Sequence, residues 1–215
     1  MASSEHSVEL AGVNLTVRNH VCAFFNTIDE EHRVLGSFFK EGTDRGEKAA
    51  RIVDPENREE HFKRLAEAGI DVRKMLDSGQ LEVVPWTEVY VRDDRFDQDT
   101  TLAAVEKRIQ SGTPAGYPLT RLVGHPMDWL FLDKPATYNL PEYEARLNQV
   151  LSKYDDPVIC NYNPSKFGAR VAMDIMRTHP LVIIGGLLRE NPFFIPPGQF
   201  LDEMHERRSA GKTAA

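Results

Sequence analysis

His20-Val21-Cys22 places a histidine and a cysteine at the head of the first apolar run. In an extended strand side chains repeat every two residues, so His20 and Cys22 share one face. Both are zinc-ligand types, but a zinc site takes three or four protein ligands and this pair supplies two. Cys160 and His125 would complete a set if their strands lay nearby. The structural alternative is a buried thiol acting as a small apolar group, with a histidine at the strand entrance. Cys22 and Cys160 are far apart and no Cys-x-x-Cys occurs. Neither a redox pair nor a disulfide framework is therefore expected.

Arg121, His125 and Trp129 form a second group. Arginine offers a fixed fork for a carboxylate or phosphate, histidine titrates near neutral pH, and tryptophan offers a flat wall. Each residue alone also has a structural reading, as a paired surface arginine or a core tryptophan. Cys160-Asn161-Tyr162-Asn163 ends an apolar run in polar side chains, which suits a ligand site. Asn163-Pro164 equally suits a helix cap. His179-Pro180 opens a strand, so His179 is expected at the opposite end of the sheet in a structural role.

Several chemistries are excluded by what these positions hold. A phosphate-binding loop needs Gly-x-x-x-x-Gly-Lys-Ser/Thr between the first strand and its helix. The chain has Phe25-Asn26-Thr27-Ile28-Asp29-Glu30 there, with no glycine or lysine and with two acids. Gly211-Lys212-Thr213 follows no strand, and Glu206 stands where the loop's first glycine would be. The acidic run Asp93 to Asp99 lacks the regular spacing and final glutamate of a calcium loop. No Gly-x-Ser-x-Gly or His-Glu-x-x-His occurs. The expectation is a binding protein and not an enzyme, with no cofactor identified and no metal assigned.

The elements that must position these residues alternate. Strands are read at Val21 to Phe25, Ala49 to Val53, Leu81 to Val84, Leu119 to Val123, Pro157 to Cys160 and Pro180 to Ile184. Thr27 and Glu30 predict a capping box, followed by a helix burying Val34, Leu35, Phe38 and Phe39. Asp54-Pro55 opens the next helix, with Phe62, Leu65 and Ala66 inward and a stop at Gly69. Residues 85–98 read as a charged loop, with Asp99 capping a helix from about Thr100 to Gln110. Pro141 opens a helix with Tyr143, Leu147, Val150 and Leu151 inward, and Lys166 to Arg177 forms another. This order predicts an α/β fold of three layers: a mainly parallel sheet with helices on both faces. Ligands of such sheets bind at the carboxyl ends of the strands.

Length and composition fit one domain. The chain has 215 residues, 41% hydrophobic and 27% charged, with a formal net charge of -7. The negative balance argues against nucleic acid as a partner. No apolar stretch is long enough to span a bilayer, and the polar start Met1 to Leu10 does not read as a signal peptide. A cytoplasmic location is expected. Residues 1–19 read as an N-terminal extension and residues 204–215 as a disordered tail.

Taken together, these pieces resemble the MEDS domain, the DcmR-type sensory domain. The resemblance is carried by His20-Val21-Cys22-Ala23-Phe24-Phe25, Glu30-Glu31-His32-Arg33-Val34-Leu35, Phe39-Lys40-Glu41-Gly42 and Arg45-Gly46-Glu47-Lys48. It continues through Ile52-Val53-Asp54-Pro55, Gly79-Gln80-Leu81-Glu82-Val83, Arg95-Phe96-Asp97-Gln98-Asp99 and Leu119-Thr120-Arg121-Leu122-Val123. Tyr143-Glu144-Ala145-Arg146-Leu147-Asn148, Val158-Ile159-Cys160-Asn161-Tyr162, His179-Pro180 and Asn191-Pro192-Phe193-Phe194-Ile195-Pro196-Pro197 complete it, spanning about residues 20–203.

The resemblance implies a RecA/KaiC-like core without a functional phosphate loop. It also implies sensing of simple hydrocarbon derivatives in prokaryotic signalling or transcription. The chain departs from many members in having Gly124-His125 after the fourth strand instead of a glutamate. Without a fused output module, its expected partners are a small-molecule ligand and a separate regulatory protein, or a second copy of itself. A RecA-like order would set the first strand between the fourth and fifth, with Cys22 facing Cys160 and Arg121. The expected ligand-binding set is His20, Cys22, Phe25, Arg121, His125, Trp129, Cys160 and Tyr162. Two other readings stand beside this one. One is a metal- or nucleotide-binding enzyme built on His20, Cys22, His125 and Cys160. The other is a protein-interaction module using the segment Phe193 to Phe200.

Overall fold

The computed structural model describes residues 8–15, 19–127 and 139–213. Its centre is a seven-stranded sheet. The strands are β3 (His20–Phe24), β4 (Lys48–Val53), β5 (Leu81–Pro85), β8 (Thr120–Val123), β9 (Val158–Tyr162), β10 (Leu181–Ile184) and β11 (Leu187–Glu190). The order is β11-β10-β3-β9-β8-β4-β5, and every pairing is parallel except β10 with β11. Two short hairpins flank the sheet, β1 (Val8–Leu10) with β2 (Val13–Leu15), and β6 (Val91–Arg92) with β7 (Arg95–Phe96).

Central strands buried on both faces read as continuous apolar runs, and all five residues of β3 and of β9 are buried. Alternation then divides the core in two. One face carries Val21, Ala23, Ala49, Val123 and Ile159. It is covered by α1 (Ile28–Asp44), α2 (Arg58–Glu67), α3 (Val72–Ser78) and the first hairpin. The other face carries Cys22, Phe24, Ile52, Leu122, Cys160 and Tyr162. It is covered by α4 (Thr87–Tyr90), α5 (Gln98–Gly112), α6 (Asn139–Leu151) and α7 (Ala169–Arg177). A last helix, α8 (Pro197–Thr213), packs on α6.

The three-layer α/β architecture and the six parallel strands agree with the sequence reading. The Thr27 cap holds: its side chain accepts from the Glu30 amide at 3.2 Å, while Glu30 reaches back to the Asn26 amide at 3.0 Å. Val34, Leu35, Phe38 and Phe39 are buried as expected.

The order of strands differs. The first strand, β3, lies between β9 and β10, and not between β8 and β9, because β9 pairs with both β8 and β3. β11 was not expected, and Gly185 and Gly186, both with positive φ, turn the chain back to form it. α3 was also missed. It is one short helix capped by Asp71 and closed by Gly79 in the left-handed region.

Residues 85–98 are not a plain loop but contain α4 and the β6–β7 hairpin. Asp93 and Asp94 occupy that hairpin's turn, both with positive φ, which short polar side chains tolerate best after glycine. The cap of α5 is Asp97, whose side chain accepts from the Thr100 amide at 2.7 Å, and not Asp99. The helix expected from Lys166 begins at Ala169, after a short turn capped by Asn163.

Parts of both terminal segments carry regular structure. The N-terminal segment is a hairpin whose Val8 and Leu10 join the core under α1. The segment expected to be disordered from residue 204 is helical to Thr213. Phe200 and Met204 lie four apart, bury completely and pack with Ala145 of α6. Ion pairs from Arg177 to Glu203, Arg207 to Asp174 and Arg208 to Glu142 hold its polar side. Among the described residues no helix is long and apolar enough to cross a membrane.

Candidate functional site

Two constellations of polar side chains stand out against this core. The first is an open cleft at the carboxyl ends of β3, β4, β8 and β9. It has a volume of about 200 Å³. Phe25, Ile28, Val53 and Pro126 give it apolar walls, and His32, Arg51, His61, His125 and Asn161 give it polar groups.

Arg51 is fixed here because it sits mid-strand in a run otherwise apolar. Its guanidinium ion-pairs with Glu31 of α1 and donates to the Gly124 carbonyl at 2.8 Å. His32 and His61 face each other from α1 and α2, with ring centroids 6.3 Å apart. His125 stacks on Trp86 at 6.5 Å. His32 Nδ1, Arg51 Nε, His61 Nε2 and both amide atoms of Asn161 are buried without a hydrogen-bond partner. A buried polar atom left unpaired costs about 1–3 kcal/mol, so this cleft favours a guest that carries hydrogen-bonding groups.

The histidines are uncharged at neutral pH. Burial, reinforced by the Arg51 charge, lowers His61 to about 3 and His125 to about 4. His32 is lowered as well, by burial first. Glu31, Asp54 and Glu60 also line the cleft. Arg51 is neutralised by Glu31 and Glu60 by Arg64, so Asp54 leaves the cleft negative and unsuited to a polyphosphate.

The second constellation is closed. It lies under α6 on the other face of the sheet, toward the amino ends of β3 and β10. His20 Nε2 stands 3.3 Å from Cys160 Sγ and 3.3 Å from Glu144 Oε2. His179 Nε2 is 3.4 Å from the same carboxylate oxygen, and the His20 and His179 rings lie 4.1 Å apart. Tyr162 donates its hydroxyl to the other oxygen of Glu144. Burial, and then the Glu144 charge, pushes the Cys22 and Cys160 thiols up. A narrow cavity of about 10 Å³ separates the two constellations. His125 and Asn161 line both this cavity and the cleft, and Glu144, Cys160 and Tyr162 wall the cavity's inner side.

The expected ligand-binding residues are thus divided. Phe25 and His125 reach the cleft. His20, Cys160 and Tyr162 meet in the buried cluster. Cys22 is the register partner of Cys160 on the same face, fully buried in the core. Trp129 lies outside the described residues. Arg121 does not face Cys22 or Cys160. It points to the opposite face, where it pairs with Glu47 at 2.5 Å and Glu41 at 2.6 Å and donates to the Phe38 carbonyl at 2.7 Å. Its neighbour Leu122 takes the Cys22 side, and strand alternation sends Arg121 the other way. The four-residue set of His20, Cys22, His125 and Cys160 is not assembled, since His125 lies past the carboxyl end of β8 and His20 at the amino end of β3. His179 does sit at the amino end, as expected, but so does His20, and the two meet.

Two of the residues missed by sequence reasoning carried a signal, a polar side chain inside an apolar pattern. Glu144 falls between Tyr143 and Leu147 on the inward stripe of α6. Arg51 interrupts Ala49-Ala50-Arg51-Ile52-Val53. His32 and His61 face inward from the first two turns of their helices and carry no such signal.

Comparison with known proteins adds the family. The family model described as the methanogen/methylotroph DcmR sensory domain, MEDS, matches residues 19–180. No curated protein sequence matches the chain. Among solved structures, the chain is similar to the KaiC-like protein PH0186 from the hyperthermophilic archaeon Pyrococcus horikoshii OT3. That likeness has a TM-score of 0.56 and 17% identity, over 76% of this chain and 70% of that one. The flagellar accessory protein FlaH from Methanocaldococcus jannaschii is similar at a TM-score of 0.50 and 10% identity, over 80% of this chain and 76% of that one. At these identities the likeness is one of fold, and it agrees with a RecA/KaiC-like three-layer α/β core.

Proposed function

The chain belongs to the MEDS family of sensory domains, and from that premise we propose that it senses a small, uncharged organic molecule bound in the carboxyl-end cleft. The observation that carries this reading is the pairing of apolar walls with buried, unpartnered hydrogen-bonding atoms on His61 and Asn161. A small alcohol or similar hydrocarbon derivative matches both features. The cleft volume of about 200 Å³ falls below the roughly 300–1,000 Å³ typical of drug-sized ligands. The turn before α1 lacks the glycine and lysine that cradle phosphates, and acids line the cleft.

The role is binding, with the state of the cleft passed to a separate regulatory protein or a second copy of the chain. Two buried free thiols suit a reducing, cytoplasmic setting. Because α1, β4, β8 and β9 all border the cleft, a ligand there bridges elements from both sides of the sheet's midline.

A thermal-shift panel of short-chain alcohols, alkyl halides and small organic acids tests this. A ligand that binds only the folded state at a hundredfold excess over Kd raises Tm by roughly 5–10 °C for a chain of this size. The rise is expected for the alcohols or halides and not for the organic acids in the wild type, and it is abolished by Asn161→Leu. No rise with any class, or an equal rise in the variant, contradicts the assignment.

A further inference from the structure

The cleft leaves the buried cluster under α6 without a role. We propose that His20, Glu144, Cys160 and His179 form a closed four-ligand site for a divalent transition ion, zinc by the ligand types. The four side chains come from β3, α6, β9 and the residue pair before β10, and each is buried. One ligand atom from each lies within 4.8 Å of all the others.

The spacing is that of a coordination shell. Ligand atoms about 2.0–2.3 Å from a tetrahedral zinc lie roughly 3.3–3.8 Å from one another. Glu144 Oε2 is 3.3 Å from His20 Nε2 and 3.4 Å from both His179 Nε2 and Cys160 Sγ. His20 Nε2 is 3.3 Å from Cys160 Sγ. The two remaining pairs, His20 with His179 and His179 with Cys160, lie within 4.8 Å.

The second nitrogen of each ring is already committed. His179 Nδ1 lies 2.8 Å from the Ile175 carbonyl, an acceptor only, so it carries the proton there. His20 Nδ1 lies 3.0 Å from Asn148 Oδ1. The amide of Asn148 is oriented by its own donations to the Glu144 and Thr178 carbonyls, at 3.0 and 2.6 Å. Both rings therefore turn an unprotonated Nε2 toward Glu144. That is how metal-binding histidines are held, with the far N–H on a carbonyl or amide oxygen. Tyr162 occupies the other Glu144 oxygen and fixes the carboxylate. Without a cation, nitrogen lone pairs and a carboxylate oxygen face one another, and His179 Nε2 makes no hydrogen bond. A cation at the centre satisfies all four atoms. Glutamate and thiolate together balance a doubly charged ion, so the site is neutral in the core.

Such a site is structural, since no ligand position is left open. It ties α6 and the loop after α7 to the central strands.

The test uses the full chain. Metal is removed with a chelator, and the protein is titrated with zinc and then with cobalt(II), followed by elemental analysis and absorption spectroscopy. One zinc per chain, a tetrahedral cobalt spectrum and a thiolate-to-cobalt charge-transfer band are expected. Cys22→Ser keeps the charge-transfer band, which then belongs to Cys160, and His179→Gln and Cys160→Ser lower the affinity at least tenfold. If the two ligand variants do not fold, the cobalt spectrum of Cys22→Ser alone decides. Failure of the wild type to bind either ion stoichiometrically overturns the proposal. So does a cobalt spectrum without a thiolate band in Cys22→Ser; the cluster would then be a buried imidazolium–carboxylate network.

Discussion

At the scale of single residues, Arg121 is where sequence and structure part most clearly. An arginine in a strand near a histidine reads as a ligand contact, yet this one is fully buried and sits against Glu47, which is also buried. Removing one partner of a buried pair leaves the other charge uncompensated, which costs about 3–5 kcal/mol. Arg121→Met is expected to lose stability by that amount in urea unfolding. By contrast Arg146→Met, which breaks an exposed pair with Asp99, changes it by less than about 1 kcal/mol. Period-two alternation was enough to place Arg121 opposite Leu122, but which face held Cys22 was set by packing that the sequence does not print.

The cleft histidines make a prediction of their own. His61 and His125 have folded values of about 3 and about 4, against 6.5 for the unconstrained side chain. Between those limits the unfolded chain binds more protons than the folded one. Stability is therefore full above about pH 6.5 and falls as pH drops toward 4, by about 1.4 kcal/mol per pH unit for each proton in the linear region. Chemical unfolding measured from pH 7 to pH 4 checks this, and His61→Gln is expected to make the dependence shallower.

At the scale of elements, long periodic patterns and caps were legible. The capping box at Thr27, the apolar stripe of α1 and the largely apolar β3 and β9 followed from residue order alone. Short or tertiary-dependent pieces were not. α3 has seven residues with none fully buried, and β11 pairs only at an edge. α8 reads as a charged tail because just two of its described side chains, Phe200 and Met204, are fully buried. Phe200→Ala is expected to cost about 3–5 kcal/mol, and truncation after residue 196 to lower Tm further by exposing Ala145. Differential scanning calorimetry of both distinguishes a docked helix from a tail, since loss of a disordered tail would leave Tm unchanged.

For the whole molecule, the topology decides what the candidate residues can do together. The sheet places His125 and Asn161 at one end and His20 and His179 at the other, with a narrow cavity between them. The sequence disclosed the three-layer class and the right strands. It did not disclose that β3 sits between β9 and β10, and this position is what draws His20, Cys160 and His179 together beneath Glu144. The pocket residues chosen by type alone are therefore split between two sites of different character, one open and one sealed.

Binding of the proposed small organic ligand in the carboxyl-end cleft is read out by the histidine ring signals in NMR. Titration with the small organic panel is predicted to shift the ring nitrogens of His32 and His61 in step with binding, while exposed His205 on α8 stays unmoved. A panel that leaves His32, His61 and His125 all unchanged, or a bound compound that moves only His20, His179 or His205, contradicts this placement.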